Sequence, residues 1–280
     1  MFLQRLRLVS IRHYSRWAPN SGSFTIPQNV NIVASADSLQ PSTSCIIDIG
    51  QSDSSKANPP PRVQHADGQP LRISLSMGSD LRRCVGQALQ LAAQFKSNSN
   101  IAFSFENRPI SDSDATAVAE VVTVHAYSPS TWKKADPIPK TGVQNCTILG
   151  ASTRAVQLGY EVGTAINMAR RLGDLPPNVA TPAFMAAQAV QLCETSQASG
   201  STPLTCTVLD EADCARLGMN LLLAVGSGSS NPPRVVALEH CPPGLEASQP
   251  VLLVGKGVTF DSGGISLKPS AKMEVRVYTF

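Results

Sequence analysis

An α/β protein is what this sequence predicts, and three observations predict it. Short apolar runs, bounded by polar or proline-rich stretches, alternate with longer segments whose apolar residues recur every three or four positions. Hydrophobic residues make up 42% of the chain and charged residues only 15%, so a packed core is expected rather than disorder. The 280 residues have room for one large domain or two of ordinary size, and the texture changes near residue 150. The expected organisation is therefore a leader over residues 1–20, a small α/β domain over 21–150, and a second domain over 151–280 built as a sheet with helices on its faces.

In chain order, Asn29 to Ala34 and Ser44 to Ile49 read as strands, and the polar, proline-rich stretch from Gln51 to Pro61 as a surface loop. Arg72 to Leu75 is a further strand candidate. Ser79 and Asp80 offer an N-cap for a helix to Phe95, with Leu81, Val85, Ala88, Leu89 and Ala92 on one face. Ile101 to Phe105 reads as a strand. A second helix starts at Ser111, although its valine-rich end is compatible with a strand, and Gln144 to Leu149 is another strand. His65 and His125 are isolated and read as surface or hydrogen-bonded structural histidines.

Beyond Ser152, Ala155, Leu158, Val162, Ala165, Ile166, Ala169 and Leu172 give a long amphipathic helix ended by Gly173. The prolines at 176 and 177 forbid its continuation. Thr181 followed by Pro182 is an N-cap with proline at the first helical position, opening a helix to about Ser196. Leu204 to Leu209 reads as a strand and Asp210 as the cap of a short helix. Leu221 to Val225, Arg234 to Glu239 and Val251 to Val254 are three further strand candidates.

The first sixteen residues carry Arg5, Arg7, Arg12 and Arg16, and the first acid is Asp37. An Arg-rich, Ser-containing, acid-poor start is the composition of a mitochondrial presequence, and Arg12-His13-Tyr14-Ser15 is similar to a cleavage site that would leave Ser15 first. A matrix location is expected, with a cytoplasmic protein as the alternative. A net charge of +3, with no Lys/Arg cluster in the body, argues against a nucleic-acid partner. No apolar run approaches the length that spans a bilayer, so no membrane partner is expected. The seven scattered cysteines, odd in number and without a CxxC pair, read as reduced structural thiols.

The chemistry concentrates in Val251 to Lys268. Glycines at 255, 257, 263 and 264 hold Lys256, Asp261 and Lys268 close to the ends of apolar segments. An aspartate there can ligate a hard divalent cation, a lysine beside a cation can serve as a neutral ligand, and a second lysine can stabilise a developing oxyanion. A plain Lys–Asp ion pair at a sheet rim is the simpler reading of the same residues. No nucleotide loop competes: Gly255-Lys256 lacks the P-loop's first glycine, and Gly226-Ser-Gly228 is followed by a proline pair rather than a helix.

The run from Val254 to Pro269 resembles the metal-binding segment of the leucyl, or cytosol-type, aminopeptidases, the M17 metallopeptidases. Arg170 to Pro182, and Gly218 to Ser229 with the Pro-Pro-Arg that follows, resemble two further blocks of that family. The resemblance implies an α/β/α catalytic domain with a mixed sheet, here its first part. It implies hydrolysis of N-terminal residues, leucine preferred, from peptides by a two-metal mechanism using zinc, manganese or magnesium, in a homo-hexamer. By position, Lys256 and Asp261 match metal ligands and Lys268 the catalytic lysine. The likeness fades at about Glu274: Thr279 stands where the family has its next aspartate ligand, and the later Asn-Thr-Asp-Ala-Glu-Gly-Arg run is not in this sequence. The resemblance therefore implies a C-terminally truncated member without significant turnover of its own. The alternative is a non-catalytic subunit that assembles with full-length ones.

Overall fold

The computed structural model describes residues 31–35, 45–51, 62–64, 70–77, 80–95, 100–105, 109–127, 143–198 and 204–270. The loop expected over Gln51–Pro61 (from residue 52 to 61), His65, the leader and the tail beyond residue 270 lie outside them. The chain divides into two compact units, residues 24–172 and a second running from residue 173.

The first unit is a six-stranded sheet in the order β1-β6-β5-β2-β4-β3. Its strands are β1 (Asn31–Ser35), β2 (Cys45–Gln51), β3 (Arg62–Gln64), β4 (Leu71–Met77), β5 (Asn100–Phe105) and β6 (Asn145–Leu149). All pairings are parallel except that of β3 with β4, so the sheet is mixed through one short edge strand. Three residues of β3 carry no alternation that sequence reading could detect, and the pairing with β4 makes the strand.

Two helices cover one face. Helix α1 (Leu81–Gln94) starts at Asp80, whose carboxylate accepts from the Arg83 backbone N–H at 3.2 Å. Helix α2 (Asp112–His125) starts at Ser111, whose hydroxyl accepts from the Asp114 N–H at 3.1 Å, and its valine-rich end stays helical. Val85, Ala88, Leu89 and Ala92 of α1, with Val118, Ala119 and Val122 of α2, pack on Ile47, Ile49, Ile73, Ile101, Phe103 and Ile148. The alternating side of each strand faces those helices. On the opposite side Asp48 is buried, paired by charge with Arg72 Nη1 at 3.1 Å and accepting a hydrogen bond from Ser104. Arg82 of α1 holds Glu120 of α2 through two bonds, at 3.1 and 2.8 Å.

Helix α3 (Thr153–Asp174) departs from expectation in the face it buries. Leu158, Val162 and Ile166 are 52%, 38% and 37% exposed, while Gly159, Gly163 and Asn167 lie against α2. The reason is close approach. A Cβ on Gly159 would overlap the Thr116 carbonyl oxygen, and one on Gly163 would stand 2.6 Å from Thr123 Cβ. With side chains absent there, α3 hydrogen-bonds directly to α2: Thr116 Oγ1 donates to the Ala155 carbonyl at 3.1 Å, and Asn167 Nδ2 to the Thr123 carbonyl at 2.8 Å.

The second unit holds α4 (Pro182–Ala198), β7 (Leu204–Leu209), α5 (Glu211–Arg216), α6 (Asn220–Gly226) and β8 (Val235–His240), with β7 and β8 paired antiparallel. Thr181 Oγ1 accepts from the Phe184 N–H at 3.3 Å, as its N-cap role requires. Asp210 and Asp213 form a reciprocal capping box at the start of α5.

Two strand expectations fail here. Leu221–Val225 is helical: Gly218 takes a positive φ of 72° and the Met219 carbonyl accepts from the Leu223 N–H, so the leucine run continues a helical path. Val251–Val254 is extended chain without a ladder, 73–91% exposed. A strand is a paired object, and no described strand lies beside it. Among the described residues no helix is long and apolar enough to cross a membrane.

Candidate active site

The sequence-predicted residues lie on an irregular segment rather than at strand ends. From Gly255 to Ser270 the chain is held by its own turns. Gly257, Gly263 and Gly264 take positive φ values of 61°, 92° and 61°. At Gly263 the requirement is double: the backbone is left-handed, and a Cβ would run into the Ser266 carbonyl oxygen. The Lys268 backbone N–H donates to the Ser262 carbonyl at 2.8 Å, closing a loop that returns Lys268 to Asp261.

That return produces the site's central contact. Lys268 Nζ donates to Asp261 Oδ2 at 2.6 Å, and the Gly263 N–H donates to Asp261 Oδ1 at 2.8 Å. Both carboxylate oxygens are thus engaged. The Lys268 hydrogen bond, then the Gly263 N–H, and more weakly the charges of Lys268 and Lys256 hold the Asp261 carboxyl below the ordinary carboxylate range. Lys268 is the more sheltered partner, its side chain 22% exposed against 49% for Asp261. Lys256 is exposed, and its ammonium acts on Asp261 through charge alone.

So the structure brings Lys268 and Asp261 together, with Lys256 within electrostatic reach. As donors for hard cations, Lys256 and Asp261 offer one amine and one carboxylate. Among the described residues no group of three or more His, Cys, Asp or Glu is placed to hold a metal ion. Divalent cations of this kind take four to six donors, so these two do not by themselves fit such a centre. Further donors would have to come from outside the described residues.

His125, at the end of α2, is shifted toward the neutral form by burial and then by the Arg170 charge. Arg170 lies 4.6 Å over the Tyr127 ring and donates to the Val124 carbonyl at 2.9 Å. This is a helix C-terminus capped by an arginine, in agreement with a structural role for His125. The carboxylate Asp48, unremarked in the sequence, is buried, and its partners Arg72 and Ser104 lie on neighbouring strands that only the register reveals.

Residues 167–278 match the model of the Cytosol aminopeptidase family, catalytic domain. Over this stretch the chain is similar to the cytosol aminopeptidases. A "Probable cytosol aminopeptidase" of Nitrosospira multiformis is 46% identical over 128 residues, which are 46% of this chain and 23% of that protein. Another, of Chromohalobacter salexigens, is 37% identical over 186 residues, 62% of this chain and 36% of that protein. The chain spans about a third or less of the length of such relatives. Among solved structures, the bottromycin maturation enzyme BotP in complex with Mn superposes with a TM-score of 0.62 at 26% identity, covering 81% of this chain and 51% of that one. A tomato leucine aminopeptidase mutant has the same fold, with a TM-score of 0.62 at 17% identity, covering 76% of this chain and 51% of its own. The cytosol aminopeptidase match contains Lys256, Asp261 and Lys268 and begins within α3.

Proposed function

We propose that this chain carries part of the active site of a metal-dependent aminopeptidase of the leucyl type, which removes N-terminal residues, leucine preferred, from peptides. The observation that carries the reading is the Asp261–Lys268 contact of 2.6 Å, set by the glycine turn inside the segment that matches the family's catalytic domain. In this reading Lys268, protonated, stabilises the oxyanion that develops as the scissile carbonyl is attacked. Asp261 and Lys256 are two of the donors to a pair of divalent cations, whether zinc, manganese or magnesium. The manganese in the BotP complex, to which this chain is similar in fold, supports a divalent metal here. When bound, such a pair supplies an activated water and polarises the carbonyl.

The test is a segment exchange. Residues 251–270 replace the corresponding stretch of the Nitrosospira multiformis relative, and leucyl-p-nitroanilide hydrolysis is measured with manganese. Retained activity supports the reading. A folded chimera without activity would count against it.

A second reading, a non-catalytic subunit that joins full-length ones in a hexamer, draws on the exposure of Val251–Val254 and of Leu221 and Val225, at 87% and 83%. Co-purification with a longer relative would favour it, and a strictly monomeric product would remove it. Import into the mitochondrial matrix is proposed from the Arg-rich residues 1–20. N-terminal sequencing of organelle-derived protein decides that point, because Met1 retained in cytosolic material is incompatible with import.

A further inference from the structure

Where the last turns of α1 and α2 meet α3, the first unit holds an open cavity of about 650 Å³. Its lining lies entirely within residues 90–170, away from the segment around Asp261. Gln90 and Gln94, one turn apart on α1 and both exposed, line it with two side-chain amides. Val124 and the Tyr127 ring give it apolar surface, and Arg170 of α3 brings a charge.

The guanidinium is already fixed in place. Arg170 Nη1 donates to the Val124 carbonyl at 2.9 Å and to Asn167 Oδ1 at 3.3 Å, and the group lies 4.6 Å over the Tyr127 ring. Asn167 is itself buried and donates to the Thr123 carbonyl at 2.8 Å. These contacts use the two Nη1 hydrogens and leave the Nε and Nη2 donors of a planar fork. The ion pairs of the described residues, Asp48–Arg72, Arg82–Glu120, Asp213–Arg216 and Asp261–Lys268, leave Arg170 without a carboxylate. Burial, and then the Arg170 charge, hold His125 toward the neutral form, so Arg170 alone among the lining residues carries charge. Its bond to Val124 also offsets the partial negative charge at the end of α2, which would otherwise repel an anion.

We propose that this cavity binds the carboxyl terminus of a peptide. Arg170 pairs with the terminal carboxylate through Nε and Nη2, the bidentate geometry for which a guanidinium is suited. The amides of Gln90 and Gln94 bond the adjacent peptide group, and the last side chain lies against Val124 and Tyr127. The amides select this class: each is donor and acceptor at once, as a peptide group is, whereas an inorganic anion only accepts. The volume falls in the range of small-molecule sites and has room for a dipeptide. This binding does not depend on the aminopeptidase reading.

The test is a titration of N-acetyl-alanyl-leucine into the isotopically labelled full chain, followed by NMR through the side-chain amide signals of Gln90 and Gln94. The acetyl cap removes the free α-amine, so the probe is no aminopeptidase substrate and the outcome is separate from peptide hydrolysis. The expected result is a saturable shift of both signals with a Kd below about 1 mM. The C-terminal amide of the same dipeptide should bind at least about tenfold more weakly. So should the acid to Gln90→Glu, whose new carboxylate on an exposed helical position competes for Arg170. No saturable shift of Gln90 and Gln94 by about 10 mM probe, or equal affinity for acid and amide, would overturn the proposal. Acetate bound as tightly as the dipeptide would overturn it too, because the glutamine amides would then contribute nothing. The comparison of acid with amide uses the wild-type chain and is independent of how Gln90→Glu folds.

Discussion

Lys268 Nζ lies 2.6 Å from Asp261 Oδ2 across a seven-residue turn, and the Gly263 N–H holds the other carboxylate oxygen. The pair has a titration signature. A carboxyl held below its ordinary value contributes above that value, and its contribution disappears as pH falls through the lowered pKa. Removing the ammonium in Lys268→Ala should move the Asp261 pKa back up toward the ordinary value of 3.8, with only the Gly263 N–H and Lys256 still depressing it. Carbon-detected NMR titration of the aspartate carboxyls reads this directly. An Asp261 pKa unchanged in Lys268→Ala would mean the contact does not persist in solution.

Gly263→Ala should open the turn. The new Cβ meets the Ser266 carbonyl while the backbone is held at a φ of 92°, and either alone is costly. Gly255 has neither feature, so Gly255→Ala should leave the turn intact. The same NMR titration separates them: the lowered Asp261 pKa should be lost in the first variant and kept in the second.

The α2–α3 seam is the place where one methyl group should matter most to stability. Gly159→Ala and Gly163→Ala each insert a Cβ into backbone or side-chain atoms of α2 and should cost about 1–3 kcal/mol. A Cβ added to Gly86, on α1, would meet nothing within 4 Å, and Gly86→Ala should instead stabilise by about 0.5–1 kcal/mol through helix propensity. Urea unfolding monitored by circular dichroism distinguishes the opposite signs.

If Lys256 and Asp261 are two of the metal donors, as proposed, the 280-residue chain alone is expected to show no significant turnover of leucyl-p-nitroanilide in manganese. Robust turnover that Lys268→Ala abolishes would mean that residues outside the described ones complete the centre.

Where local chemistry determines structure, the sequence was a good guide. Asp80, Ser111, Thr181 and Asp210 all cap helices because a short side-chain oxygen beside a free N–H acts within three residues. Where a partner determines it, reading the sequence failed. Val251–Val254 has the composition of a buried strand, yet strand character requires a neighbour's ladder, and none of the described strands provides one. Leu221–Val225 is short enough for either state, and the turn at Gly218 selected helix. The apolar stripe of α3 pointed to Leu158, Val162 and Ile166, whereas the closest packing runs along the glycines, which hydrophobic periodicity does not count. In the candidate site the residue types and the glycine turn were legible. A Lys–Asp ion pair was legible too, but not that Lys268 rather than Lys256 makes it, because that depends on left-handed backbone at two consecutive glycines.

The most direct measurement is the kcat of the Nitrosospira multiformis relative carrying residues 251–270 of this chain, with and without Lys268→Ala. An oxyanion-stabilising Lys268 predicts a fall of about 10²–10³-fold in kcat with little change in KM. Equal kcat in the two proteins would contradict the assignment of Lys268, and with it the reading of this segment as an aminopeptidase active site.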